Sequence, residues 1–206
     1  MSNITESKKV MSGDEDLEYV IRCQKGDTDA FDVLVERHQK KMLNIAFRMM
    51  GDYEEACDVT QEAFVSAYKS IKKFKAEARF STWLYRIVVN YAKNRLKQLN
   101  GLAKREGVSI DETEDKRADT MMNASLVNHA NPGTEMETRE REAHVQQCIS
   151  SLDEDYREVL VLRDIQGFSY DEIKEILNIP DGTVKSRLSR ARNALKDCLT
   201  KVMGDL

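Results

Sequence analysis

The stretch Ser169–Leu199, SYDEIKEILNIPDGTVKSRLSRARNALKDCL, decides the fold class. Ser169 and Glu172 stand three apart, as a reciprocal capping box requires, so a helix starts here. Ile173, Ile176 and Leu177 give that short helix one apolar face. Asn178-Ile179-Pro180-Asp181 then breaks it, because Asn tolerates a left-handed backbone and Pro cannot continue the helix. Asp181 or Gly182 is expected to cap the helix that follows. On that helix Val184, Leu188, Ala191, Leu195 and Leu199 recur at three- and four-residue spacing and form its buried side. A rotation of about 100° per residue puts Ser186, Ser189, Arg190 and Asn193 opposite, with Lys185 on a flank and Arg187 and Arg192 at the edges. A short helix, a tight turn and a basic second helix read as a helix-turn-helix. The first half of its second helix can reach base edges in a major groove. The plainer reading is a surface helix with a solvated basic stripe.

The rest of the chain fits an all-helical protein. It has 206 residues, two prolines and nine glycines, and 41% of its residues are hydrophobic, enough for two small cores and thin for one large one. No apolar run approaches the roughly 20 residues of a membrane span, and MSNITESKKVMSGDEDLEYV lacks the apolar centre of a signal peptide. A cytoplasmic location without membrane insertion is expected. Cys23, Cys57, Cys148 and Cys198 are scattered with no Cys-x-x-Cys pair, which predicts neither a disulfide framework nor a zinc ribbon. His144 and Cys148 sit four apart and could share a helix face, but two ligands make half a metal site. No cofactor is expected.

Charge is strongly patterned although the net is only −4. Residues 69–105 hold eleven basic residues against one acid, Glu77, and residues 183–206 hold six against two. The segments between and around them are acidic. Two basic blocks on an acidic background suggest two contacts with one polyanion, leaving acidic surfaces for protein partners.

The glycines fall between stretches of helical periodicity and read as punctuation. Helices are predicted at about 15–25, 28–50, 53–73, 81–99, 138–151, 154–165, 169–177 and 182–201. Residues 100–137 carry the acidic run Asp111–Asp115 and the polar NHANPGTE, with too little patterned apolar surface for a core. The layout is therefore a tail at 1–12, a helical domain at 13–99, a flexible linker at 100–137 and a second helical domain at 138–206.

In the first domain, STWLYRIVVNYAKNRLKQL (81–99) is expected to start at a Ser81 cap. Leu84, Ile87, Val88 and Tyr91 form its core side, and Arg86, Asn90, Lys93 and Lys97 run down the other, beside Trp83. Upstream lies the basic loop KKFKAEARF, which contributes Lys75, Arg79 and Phe80. Cations for phosphates, amides for base edges and rings for stacking are what single-stranded bases require. Trp83 reads about equally well as a core residue. On the helix 53–73, Asp58, Gln61 and Glu62 gather opposite the buried side with Val65 among them. Without a His or a pocket signature, that cluster suits docking of a basic protein partner better than catalysis, and ordinary solvated polarity is the plain alternative.

At these residues the chain resembles extracytoplasmic-function sigma factors of the sigma-E type. AFDVLVERHQKKMLNIAFRMMGD, DVTQEAFVSAYKSIKKF and FSTWLYRIVVNYAKNRLK look like their domain two. LDEDYREVLVLRDIQGFSYDEIKEILNIPDGTVKSRLSRARNALK looks like their domain four. The resemblance implies a non-enzymatic promoter-specificity subunit of bacterial RNA polymerase that directs a stress or envelope regulon. Asp58, Gln61, Glu62 and Val65 would dock on the clamp helices of the largest core subunit, and domain four would meet the flap. Lys75, Arg79, Phe80, Ser81, Trp83, Arg86, Asn90, Lys93 and Lys97 would engage the minus-ten non-template strand, one base being captured by the loop from about Lys72 to Phe80. Thr183, Lys185, Ser186, Arg187, Ser189 and Arg190 would read the minus-thirty-five duplex. An anti-sigma factor is the further partner implied, and the chain free of partners is expected to be a monomer.

Departures from the family pattern carry their own expectations. Lys174, where a small Ala is usual, must snorkel outward or push the two helices apart. Asn178, where Gly is frequent, must take the left-handed conformation. Ser189 is small where some relatives carry a larger side chain, so their promoter sequence does not transfer. Two other classes compete with the sigma reading. A stand-alone DNA-binding regulator would account for the helix-turn-helix but not for the basic-aromatic helix at 81–99. A nuclease would need carboxylates or histidines facing the bound strand.

Overall fold

A computed structural model describes residues 14–106 and 132–204, with side chains for 14–102 and 140–204. The expected tail at 1–12 and the linker residues 107–131 lie outside the described residues. Eight α-helices are present among those described: α1 Leu17–Gln24, α2 Asp29–Met50, α3 Tyr53–Ser70, α4 Phe80–Glu106, α5 Pro132–Ser150, α6 Glu154–Leu160, α7 Tyr170–Leu177 and α8 Asp181–Met203. A short 3-10 turn, Ile71–Lys73, follows α3, and one π turn, Val161–Ile165, extends α6.

Glycine and aspartate set the boundaries in the first domain. Gly51 adopts φ 76°, and its N–H donates to the Phe47 carbonyl at 2.8 Å, closing α2 in a left-handed cap. Asp52 then accepts the Glu55 N–H at 2.9 Å and opens α3, a cap that contributes about 1 kcal/mol. Leu34, Met42, Ile45 and Met49 of α2, Ala56, Ala63 and Ala67 of α3, and Leu84 and Val88 of α4 are fully buried together. The alanines let α3 lie close to its neighbours.

Helix α1 straps the domain from outside. Asp16 and Tyr85 each hydrogen-bond one ring nitrogen of buried His38, at 2.6 and 2.8 Å. Burial opposes the Asp16 charge, but His38 and Arg37 outweigh it and hold its carboxyl below the usual range.

The second domain packs α5, α6, α7 and α8 around Ile149, Leu160, Leu162, Ile173, Ile176, Val184 and Leu188. The capping box forms, with Ser169 Oγ accepting the Glu172 N–H and the Glu172 carboxylate accepting the Ser169 N–H. Asn178 takes φ 54°, ψ 48° and ends α7 in the left-handed conformation. Lys174 snorkels outward to Asp171 at 3.4 Å.

Several expectations change. Ser81 does not cap α4. The helix starts one residue earlier, and the Phe80 N–H donates to Asp14 Oδ2 at 2.8 Å, so the cap comes from a carboxylate 66 residues away in sequence. Neither Asp181 nor Gly182 caps α8. Pro180 holds the cap position, and Asp181, in the first turn, pairs with Lys185 at 2.6 Å. Helix α4 runs beyond Leu99 to Glu106, and α5 begins at Pro132.

The cysteine reading is also corrected. Cys148 of α5 and Cys198 of α8 form a disulfide, with Cα atoms 5.7 Å apart. Spacing gave no sign of it, because the pairing arises where two helices lie side by side and bring together cysteines 50 residues apart. The bond takes Cys148 away from any ligand set with His144.

The two domains pack on one another. Arg48 donates to Gln146 Oε1 at 3.0 Å, Arg157 to the Met49 carbonyl at 2.7 Å, and Gln166 to Asn44 Oδ1 at 2.8 Å. Gly51 lies so close to α5 that a Cβ there would stand 2.7 Å from Ser150 Oγ.

Candidate nucleic-acid interface

The loop ahead of α4 and the first turn of α4 make one aromatic and basic surface. Phe80 is fully buried and acts as its floor, with Phe74 and Trp83 packed on it at ring-centroid distances of 5.9 and 5.7 Å. Phe80 therefore shapes the site from below and does not itself meet solvent. Trp83 is half-buried and tilted against Phe74 at 5.1 Å, packed on the core on one side with the rest of its ring accessible. Phe74 and Trp83, with Lys73, Lys75, Glu77, Ala78 and Arg86, line a pocket of about 320 Å³. Aromatic walls with cations at the mouth suit a flat base and its phosphate. Phe74 was not among the predicted site residues, although KKFKAEARF displayed it.

Helix α1 fixes this loop from behind. Gln24 Nε2 donates to the Ile71 and Phe74 carbonyls at 3.0 and 2.9 Å. Lys75 and Arg79 lie exposed on the loop, and Ser81 is half-buried in the first turn of α4. Farther along α4, Asn90 and Lys97 face solvent, whereas Arg86 and Lys93 do not. The Arg86 guanidinium donates to the Glu175 carbonyl of α7. Lys93 Nζ binds Glu158 at 2.7 Å and Glu154 at 3.7 Å. Burial works against the Lys93 charge, but the hydrogen bond and charge of Glu158 outweigh it and raise the ammonium above its usual range. Burial pushes the Glu158 carboxyl up.

On α8 the predicted set divides. Lys185, Ser186, Ser189 and Arg190 are exposed. Thr183 is half-buried, and its carbonyl accepts from Ser186 Oγ at 3.1 Å. Arg187 turns back to Asp155 at 2.5 Å and Glu158 at 3.1 Å. Lys93 and Arg187, on different domains, thus share one buried carboxylate, a pairing that charge blocks alone do not reveal.

Asp58, Gln61, Glu62 and Val65 occupy one exposed stretch of α3, with Val65 46% accessible. Glu62 accepts from Arg95 at 2.7 Å. Between this stretch and α2 runs a groove of about 760 Å³ lined by Phe31, Val35, Leu43, Phe64, Val65 and Tyr68, with Gln61 at its edge. Its apolar floor suits a partner helix.

Residues 34–101 match the Sigma-70 region 2 family and residues 142–195 match the Sigma-70, region 4 family. The chain is 38% identical to the RNA polymerase sigma-H factor of Pseudomonas aeruginosa over 94% of this chain and 98% of that one. It is 38% identical to the ECF RNA polymerase sigma-E factor of Haemophilus influenzae, over 89% and 95%, and 40% identical to that of Escherichia coli, over 85% and 90%. The chain belongs to the ECF sigma-factor family. The fold agrees with that of CnrH, solved with the cytosolic domain of CnrY, at a TM-score of 0.64 and 24% identity over 91% of this chain and 98% of that one. It agrees as well with RpoE of Bartonella quintana, solved with the anti-sigma factor NepR, at 0.63 and 23% over 84% and 97%. As an ECF sigma factor the chain is a transcription-initiation subunit and not an enzyme. The first domain is sigma region 2, and the second carries region 4 with its helix-turn-helix. No described helix is long and apolar enough to cross a membrane.

Proposed function

We propose that this sigma factor acts in the cytoplasm by docking on core RNA polymerase through the α2–α3 face and addressing promoter DNA through α4 and α8. The single observation carrying this reading is the separation of three chemically distinct faces. The α2–α3 groove with its acidic rim suits the clamp helices of the largest core subunit, met by Asp58, Gln61, Glu62 and Val65. The aromatic-basic pocket, with Lys75, Arg79, Ser81, Trp83, Arg86, Asn90, Lys93 and Lys97 around and beyond it, suits an unpaired minus-ten strand, with Phe80 as its buried support. The exposed row Lys185, Ser186, Ser189 and Arg190 suits the minus-thirty-five duplex, with Thr183 and Arg187 beside it. The flap would receive region 4 on the polymerase side.

No bond is made or broken by this subunit. Extruding a base costs a few kcal/mol, offset by ring contacts in the pocket. Two modest DNA contacts on one chain reinforce each other through effective concentration. An anti-sigma factor that covers these faces would hold the regulon, one of stress or envelope genes, silent.

The test is co-elution with sigma-free core polymerase at moderate salt. Wild type should co-elute, and Asp58→Arg should abolish the complex while leaving far-UV circular dichroism unchanged. Unaltered co-elution of the variant would overturn the docking face. A chain that shifts duplex DNA alone and ignores core polymerase would favour an independent regulator.

A further inference from the structure

Five of the seven residues that line the aromatic-basic pocket, Lys73, Phe74, Lys75, Glu77 and Ala78, belong to the segment between α3 and α4. The shape of the pocket is therefore largely the shape of this segment. Yet the segment does little to hold itself. Among the described residues, 75–78 form no backbone–backbone hydrogen bond. Ala76 stands at φ 55°, in the left-handed region that a residue with a Cβ keeps only where its surroundings impose it.

The constraint comes from outside the segment. Gln24 Nε2 donates to the Ile71 carbonyl at 3.0 Å and to the Phe74 carbonyl at 2.9 Å, so one amide spans the 3-10 turn and fixes the backbone that carries the Phe74 ring. Asp14 takes the other end. Its Oδ2 accepts the Phe80 N–H at 2.8 Å while Oδ1 accepts the Asp16 N–H at 3.2 Å. Neither Gln24 nor Asp14 lines the pocket. Both stand on a stretch that is itself anchored. Val20 and Cys23 are buried in the core, and the Asp16 carboxylate meets His38 at 2.6 Å and Arg37 at 3.0 Å. A run of fixed contacts thus leads from the core of region 2 through α1 to both ends of the segment.

We infer that Gln24 is a positioning residue for base selection, which sets through the Phe74 backbone and ring which base the pocket accepts, with Asp14 as its counterpart at Phe80. The inference rests on the reading of this pocket as the seat of an unpaired base. The physical reason lies in how bases are told apart. Stacking and phosphate contacts are alike for all four, so rings and cations alone bind without choosing. Choice comes from hydrogen bonds to the base edge, which weaken steeply as their geometry departs from the ideal. A segment loose at either end would keep its affinity for a strand and lose its preference.

The experiment uses the full-length chain assembled on sigma-free core RNA polymerase. Its probe is a single-stranded DNA pool randomised over a short run of positions, and sequencing of the bound fraction gives the enrichment of each base at each position. Wild type should enrich one base at one position about tenfold, as a well-made edge contact implies. Gln24→Met keeps a straight side chain of similar helix propensity but donates no hydrogen bond, and should lower that enrichment to about twofold. Total bound DNA and preferences at other positions should stay as in the wild type. Gln24→Lys returns N–H donors to the two carbonyls and should recover part of the loss. A uniform loss at every position, with a lowered melting temperature, would mark Gln24 as merely structural and overturn the inference. Amide exchange in the free chain, read by nuclear magnetic resonance, needs no DNA. The Phe74 N–H, which donates to the Ile71 carbonyl at 3.1 Å, should exchange about tenfold faster in Gln24→Met, as loss of two neutral hydrogen bonds implies. A wild type without base preference at any position would remove the pocket reading and this inference with it. A wild-type preference that Gln24→Met leaves intact would overturn this inference alone, as would unchanged exchange at Phe74.

Discussion

Helices α4 and α8 both carry the cations that we propose meet nucleic acid, yet each is held in a different way. Helix α4 starts on an aromatic floor, is capped by Asp14 from 66 residues earlier in the chain, and has Arg86 and Lys93 engaged by region 4. Helix α8 stands on a smaller core and is tied to α5 by the Cys148–Cys198 bond, while Ser186, Ser189 and Arg190 face water. The difference fits the role proposed for each. A surface that is to open a duplex and hold an unpaired base needs rigid concave walls. A helix that enters a major groove needs an unobstructed convex face on a support that does not tilt.

Truncating the aromatic floor should break this comparison most strongly. Phe80→Ala is expected to cost region 2 about 3–5 kcal/mol, because a fully buried ring leaves a cavity under both Phe74 and Trp83. Trp83 is the one tryptophan of the chain, so its fluorescence during urea unfolding reports the loss.

Next in size is the disulfide. Cys198→Ser, or dithiothreitol on the wild type, should destabilise region 4 by up to about 4 kcal/mol, the chain-entropy expectation for a bridge closing 50 residues. The helical signal from region 4 should then melt earlier while the Trp83 midpoint stays in place. A shift of the Trp83 midpoint by the same amount would show that the two regions unfold as one unit and that the contrast drawn here is too sharp.

The smallest effect sharpens the picture at one turn. Ser169→Ala should cost region 4 about 1 kcal/mol through loss of the α7 cap, leaving region 2 unaffected. A thermal melt resolves it.

Much of this architecture was readable from local chemistry. The glycines, the Ser169–Glu172 box and the Asn178-Ile179-Pro180 break each act within a few residues, so helix number and the turn geometry at α7–α8 followed from the chain itself. The buried sides of α3 and α8 followed from periodicity. What escaped was long-range. Ser81 has the right type for a cap, but Asp14 reaches the position first. Phe80 sits in a basic loop and looked like a stacking residue, yet it turns inward because the cluster of His38, Phe74 and Trp83 encloses it. The block charges indicated that acidic and basic surfaces exist, without indicating that Glu158 would lie between Lys93 and Arg187. Pairing of Cys148 with Cys198 depends on helix packing, which spacing does not encode.

The brace that helix α1 places on the loop before α4 has a practical consequence. Gln24 grips the loop where it begins, at the Ile71 and Phe74 carbonyls, and Asp14 grips it where it ends, at the Phe80 N–H. The mouth of the pocket is thus gauged by residues outside the loop. Grafting residues 71–80 alone into a related subunit would carry over the side chains proposed to meet a base but leave the aperture set by the recipient. A transplant that moves base preference intact has to bring the segment from Asp14 to Gln24 with it.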